Sequence, residues 1–178
     1  VVATADESPL VRVRAAHRHD FPGEVERDAA LLDGLGFRAE VGTAPEKRLD
    51  VREDVAVTAH RGASMRAPEN SLAAFREAHA AGTHYVELDV QRTRDGAIVV
   101  IHDGDLMRMG SDPRKVRDLT LAEIRTIDIG SKRGPQYAGE RVPTLAEVID
   151  FARGKFRINI ELKYNVPDPQ LAAAVVAL

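Results

Sequence analysis

The sequence predicts an α/β fold built around a mostly parallel sheet, and three observations carry that reading. From residue 51 onward, short apolar, β-branched runs alternate with helical stretches. The runs are largely apolar, as strands buried on both faces are. Four of them end in ionisable residues, and parallel sheets gather functional groups at the carboxyl ends of their strands.

Residues 1–50 form an amino-terminal segment of different character, without a chemical motif. A helix is expected over residues 23–36, where Val25, Ala29, Leu32 and Leu35 recur at helical spacing and glycines close the run. A short strand is expected over 37–41. His17 and His19 would share one strand face across Arg18, and two solvated histidines is a better reading than a metal pair.

The second unit spans residues 51–178. Residues 55–59 read as its first strand. Asn70 and Ser71 are positioned to cap a helix over 72–81, with Leu72, Phe75 and Ala78 as its apolar stripe and Gly82 as its stop. Strands follow over 85–90 and 98–101, joined by the turn Arg94-Asp95-Gly96. An insertion at about residues 104–142 is polar and rich in Gly and Pro, with one short helix over 121–126. A helix over 144–152, a strand over 157–162 and a helix starting at 171 complete the order.

Composition narrows the function classes. A chain of 178 residues, 44% hydrophobic and 30% charged, suits one soluble globular domain with an appendage. A net charge of -3 with no Lys/Arg-rich block argues against a nucleic-acid partner. The absence of cysteine excludes disulfides, thiolate zinc sites and cysteine nucleophiles. No stretch approaches the ~20 apolar residues of a membrane helix. The first residues do not read as a signal peptide, and the chain opens without Met, as a processed piece would.

The strand ends carry the candidate chemistry. The strand at 55–59 runs into His60-Arg61-Gly62, and Tyr85-Val86 runs into Glu87-Leu88-Asp89. Residues 98–101 run into His102-Asp103, and 158–160 into Glu161-Leu162-Lys163. Side chains two apart share a strand face, so Glu87 and Asp89 point together, as do Glu161 and Lys163. Burying neighbouring carboxylates without a cation is costly, and Mg²⁺ or Ca²⁺ would relieve that cost through oxygen ligands. Glu161 could supply the third carboxylate. His60 and His102 are the natural acid and base, because imidazole titrates near neutral pH. Arg61 and Lys163 add positive charge to an acidic cluster, which fits an anionic substrate, most simply a phosphate. His79 and His84 lack a partner motif and read as structural.

These residues resemble a known family. His60-Arg61-Gly62-Ala63-Ser64, Pro68-Glu69-Asn70-Ser71, Phe75 and Val86-Glu87-Leu88-Asp89-Val90 resemble the glycerophosphodiester phosphodiesterases. So do Thr93-Arg94-Asp95-Gly96, His102-Asp103, Asp118-Leu119-Thr120, Val142-Pro143-Thr144-Leu145 and Glu161-Leu162-Lys163. The tract from Asp112 to Tyr164 is similar to bacterial members with an amino-terminal membrane domain. The resemblance implies the amino-terminal half of a TIM-type (β/α) barrel, with a small insertion after the strand ending at His102. It implies metal ligands Glu87, Asp89 and Glu161 for Mg²⁺ or Ca²⁺, catalytic His60 and His102, and phosphate contacts Arg61 and Lys163. Glu69 could line the site. The reaction it implies is hydrolysis of a glycerophosphodiester, a small-molecule substrate, to glycerol 3-phosphate and an alcohol. The substrate's own glycerol hydroxyl would attack phosphorus, and water would open the cyclic phosphate.

The sequence departs from the family at Ser71, where Thr is usual, and at Lys132, where an aromatic residue is common. It also departs in length, since eight strand–helix units need ~250 residues. An open half-barrel exposes strand edges, which pairing in a homo-oligomer would cover. A membrane association would run through a segment outside this chain. Two rival readings are a phosphodiester or phospholipid head-group binding module without turnover, and a phospholipase of the sphingomyelinase-D type. Retention of all six site residues favours catalysis, and Pro68-Glu69-Asn70-Ser71 with the insertion favours the glycerophosphodiesterases.

Overall fold

The computed structural model describes residues 57–165 and 167–178, together with the backbone of one strand at residues 11–16. The expected helix at 23–36, the strand at 37–41, the pair His17 and His19, and residues 55 and 56 lie outside the described residues.

Five strands form the main sheet: β1 (Val11–Ala16), β2 (Thr58–His60), β3 (Tyr85–Arg92), β4 (Ile98–Val100) and, last in the chain, Arg157–Lys163. Between them lie α1 (Leu72–Ala80), β5 (Asp105–Leu106), α2 (Met107–Gly110), β6 (Asp112–Lys115), α3 (Leu121–Ile124) and α4 (Leu145–Ala152). The Arg157–Lys163 strand is thus β7, and α5 (Leu171–Val176) follows it. The order across the sheet is β1-β7-β3-β2, all parallel, with β4 antiparallel against the far end of β3.

The antiparallel β4 refines the sequence expectation of four like strand ends. β3 runs on past Asp89 to Arg92, the chain turns at Gly96, and β4 comes back along it. The amide of Ile101 donates to the Asp89 carbonyl at 2.9 Å, so the segment that carries His102 comes alongside Asp89 from the opposite direction. β1 is a strand that the sequence reading passed over, although Val11-Arg12-Val13-Arg14 alternates with a period of two.

Local chemistry explains the helices. Ser71 Oγ accepts from the Ala74 amide and starts α1, whose Ala73, Ala74, Phe75 and Ala78 are buried. Thr120 with Glu123, and Thr144 with Glu147, form capping boxes at α3 and α4. Gly82, at φ +74°, follows α1 in a conformation that glycine adopts without strain.

Two cores result. In the larger, Val86, Leu88 and Val90 of β3 and Ile158, Ile160 and Leu162 of β7 pack against Phe75, Leu145, Val148 and Leu171 of the helices. Period-two alternation leaves Glu87, Asp89 and Gln91 on the opposite face of β3. The insertion, expected to be polar with one helix, holds a β5–β6 hairpin and a core of its own. Leu106, Val116, Leu119, Ile124, Ile127 and Ile129 close there on Val99 and Ile101.

Candidate active site

Strand register assembles the acidic cluster. Asp89 on β3 is paired with Glu161 on β7, and His60 on β2 with Glu87 on β3. Glu87, Asp89 and Glu161 each offer a carboxylate oxygen, and these oxygens lie within 4.8 Å of one another. Asp89 is 1% exposed. Burial and the charge of Asp89 push the Glu87 carboxyl up to about 7, with Glu161 adding to the effect and the Arg61 amide opposing it.

Both predicted phosphate contacts lie against these acids. Arg61 Nε is 3.2 Å from Asp89 Oδ2, and its Nη1 donates to Glu69 Oε1 at 3.1 Å. Lys163 Nζ lies 2.6 Å from Glu161 Oε1 and 3.4 Å from Asp89 Oδ1. Two cations thus face three carboxylates. Glu87 Oε1 and Asp89 Oδ1 are buried without a hydrogen bond. Orphaned acceptors of this kind fit an oxygen-liganded divalent cation.

The loop after β2 is strained in service of the site. Arg61 and Asn70 both have left-handed backbones, at φ 55° and 56°. The strain aims the Arg61 amide at Glu87 Oε2, 3.0 Å away, while the Asn70 amide donates to the Arg61 carbonyl at 3.0 Å. Asn70 was expected to share the capping of α1, but Ser71 does that at the Ala74 amide and Glu140 Oε1 accepts from the Ala73 amide at 3.0 Å. Asn70 instead donates from Nδ2 to Asp89 Oδ2 at 2.8 Å and accepts from the Asp89 amide at 3.3 Å. Gly62 is required here, because a Cβ at its position would lie 2.8 Å from Ala74 Cβ and 2.9 Å from Phe75 Cδ1.

The histidines differ. His60 is 67% exposed, with Nε2 3.7 Å from Glu87 Oε2. His102 is 29% exposed, and its Nδ1 lies 2.8 Å from Asp103 Oδ1. Gln91 Nε2 reaches the carbonyls of Ile101, His102 and Asp103 at 3.0, 3.1 and 2.7 Å and fixes that segment. His84 Nδ1 accepts from the Val57 amide, and the His79 ring tilts against Phe156, as structural histidines do. Lys132, an unexplained departure in sequence, donates to the carbonyls of Met107 and Arg108 at the insertion.

Sequence reading missed Asn70 as a carboxylate partner, Gln91 and Arg108. Asn70 and Gln91 had a signal: one precedes the capping serine, and the other continues the Glu87, Asp89 face. Arg108 had none, since it depends on how the insertion folds.

The sequence profile of the glycerophosphoryl diester phosphodiesterase family matches residues 60–176. A glycerophosphodiester phosphodiesterase of Caldanaerobacter subterraneus subsp. tengcongensis is 48% identical over 111 residues, 62% of this chain and 46% of its own. One from Bacillus subtilis is 38% identical over 118 residues, covering 62% and 40%. The chain spans about half the length of such curated relatives. The crystal structure of a glycerophosphodiester phosphodiesterase from Agrobacterium tumefaciens superposes with a TM-score of 0.62 at 39% identity, covering 67% of this chain and 51% of that one. An Oleispira antarctica phosphodiesterase, solved in complex with the product sn-glycerol-3-phosphate, gives 0.59 at 37% identity, covering 67% and 48%. The described fold is accordingly the amino-terminal half of a TIM-type barrel, as expected.

Proposed function

The chain belongs to the glycerophosphoryl diester phosphodiesterase family, and from that membership we propose that the protein hydrolyses glycerophosphodiesters to glycerol 3-phosphate and an alcohol with the help of a divalent cation. The observation that carries this reading is the convergence of Glu87, Asp89 and Glu161 within 4.8 Å, beside His60, Arg61 and Lys163. Mg²⁺ or Ca²⁺ would be held by the three carboxylates and would supply positive charge against the phosphoryl oxygens.

The chain's own residues do the rest. Arg61 and Lys163 bind and orient the phosphate, exchanging part of their contact with the carboxylates for contact with the substrate. One histidine takes the proton from the attacking glycerol hydroxyl, and the other delivers a proton to the departing alcohol. The roles reverse when water opens the cyclic phosphate. His60, more exposed and set by β2 beside Glu87, and His102, reaching in from β4, are suited to opposite sides of one phosphorus. A binding module would have no need of two such histidines.

The test is release of glycerol 3-phosphate from a panel of glycerophosphodiesters, with Mg²⁺, with Ca²⁺ and with chelator. Turnover with a cation and none with chelator is expected. His60→Ala and His102→Ala should each lower kcat by about 10² to 10⁴. Inactivity on every diester with both cations overturns the reading, and an unchanged rate in either variant overturns that histidine's role.

A further inference from the structure

Arg108 lies outside the predicted site, yet its guanidinium is shared between Glu69, expected to line that site, and Asp103, the neighbour of His102. Nε donates to Asp103 Oδ2 at 2.7 Å. Nη1 and Nη2 donate to Glu69 Oε2 and Oε1 at 3.0 and 2.6 Å. Asp103 turns its other oxygen to His102 Nδ1. We propose that Arg108 is a positioning residue for His102, acting through Asp103 and anchored on Glu69, and that the insertion exists in part to aim it. The proposal rests on reading the site as a phosphodiesterase.

The chemistry of the link is specific. Burial pushes the Asp103 carboxyl up, but the hydrogen bonds from Arg108 and His102 outweigh it and hold the group below the usual carboxylate range. Glu69 is likewise held down against burial, chiefly by Arg108. An ionised Asp103 can only accept, so His102 Nδ1 carries the hydrogen and Nε2 is left to exchange protons with substrate. A lone surface ion pair would do little, but a planar fork bonded three times to two carboxylates fixes direction as well as charge. Lysine offers a single ammonium and cannot reproduce that fork.

The insertion holds Arg108 in place from behind. Lys132 Nζ donates to the Met107 and Arg108 carbonyls at 2.9 and 3.1 Å. Met109 packs on the insertion's core, and a Cβ at Gly110 would run into Ile127 Cγ2. Ser111, at φ 59°, ends the short helix in the left-handed region.

The experiment compares Arg108→Met, Arg108→Lys, Asp103→Asn and the Arg108→Met/Asp103→Asn double variant with the wild-type protein. Two readouts are taken: steady-state kinetics on glycerophosphocholine, and the ring ¹⁵N shifts of His102. A misaimed proton carrier should cost about 100-fold in kcat, with KM within threefold. Lysine should not rescue, and the double variant should be no slower than the worse single one. In wild type the ring hydrogen should sit on Nδ1; in Arg108→Met, where Asp103 keeps its charge but loses its anchor, the fraction on Nδ1 should fall part of the way towards that of Asp103→Asn. If Arg108→Met does not fold, Arg108→Gln carries the same test. Ring nitrogens unchanged in the Arg108 variants, or additive kinetic losses, overturn the proposal. A wild type without turnover but with the expected ring shifts overturns the phosphodiesterase reading and leaves the positioning link standing.

Discussion

Asp89 and Glu161 are register partners on adjacent parallel strands, and Lys163 Nζ touches both, at 3.4 and 2.6 Å. Their proximity is therefore fixed by the backbone ladder rather than by side-chain choice. Glu87 joins them from two residues earlier on the same face. The mutual repulsion of this triad is paid when the sheet forms, so a cation meets a site already built.

That arrangement makes stability depend on pH and cation together. The Glu87 carboxyl titrates near 7 in the folded protein, raised by burial and by Asp89 from an ordinary value of 4.5. A carboxyl raised by folding contributes stability that is fully present below its unfolded pKa and lost as pH rises through the folded one. Without a divalent cation, thermal stability should therefore fall between about pH 4.5 and 7. A cation replaces the proton, so the Tm gain on adding Mg²⁺ or Ca²⁺ should be larger at pH 7.5 than at pH 5.5. At 100-fold excess over Kd the gain corresponds to about 2.7 kcal/mol. Thermal melts at the two pH values, with and without chelator, check this, and equal gains would contradict it.

Asn70 holds Asp89 by a hydrogen bond in each direction. Asn70→Gly keeps the left-handed backbone free of strain while removing the side chain. Partners behind a metal ligand are worth about 10- to 100-fold in cation affinity, and a loss of that size is expected by calorimetric titration. Asn70→Ala should add about 1 kcal/mol of backbone strain to the same loss. Chemical denaturation of the two variants separates these contributions.

Gly62 is a packing constraint with no chemistry of its own. At φ +74° and with Ala74 Cβ only 2.8 Å from where its own Cβ would stand, Gly62→Ala should cost roughly 2–4 kcal/mol from overpacking and left-handed strain. Urea denaturation should show the midpoint shift without a large change in slope, and a neutral substitution would contradict the close approach.

Much of this was legible before any coordinates. The face shared by Glu87 and Asp89 follows from a period of two, and the helices at Leu72–Ala80 and Leu145–Ala152 follow from caps and apolar spacing. Strand direction was not legible: β4 reads like its neighbours in sequence, and only the short Arg94-Asp95-Gly96 turn marks it as a hairpin return. The insertion misled because its apolar residues are scattered among Gly, Pro and charge, so its core forms only through tertiary contact. Arg108 stayed hidden for the same reason, since its partners Glu69 and Asp103 are 39 and 5 residues away.

The β3–β4 hairpin acts as a ruler for the chemistry. His102 stands at its level because the residues from Asp89 to the turn and back to Ile101 match in number. Deleting two residues from that loop would slide the imidazole one rung, about 6.6 Å along the strand, and change which residues of β3 it stands beside. Removing one would instead turn its face away. Length variation among relatives should therefore be concentrated beyond Asp103, inside the insertion, and be nearly absent between Asp89 and His102.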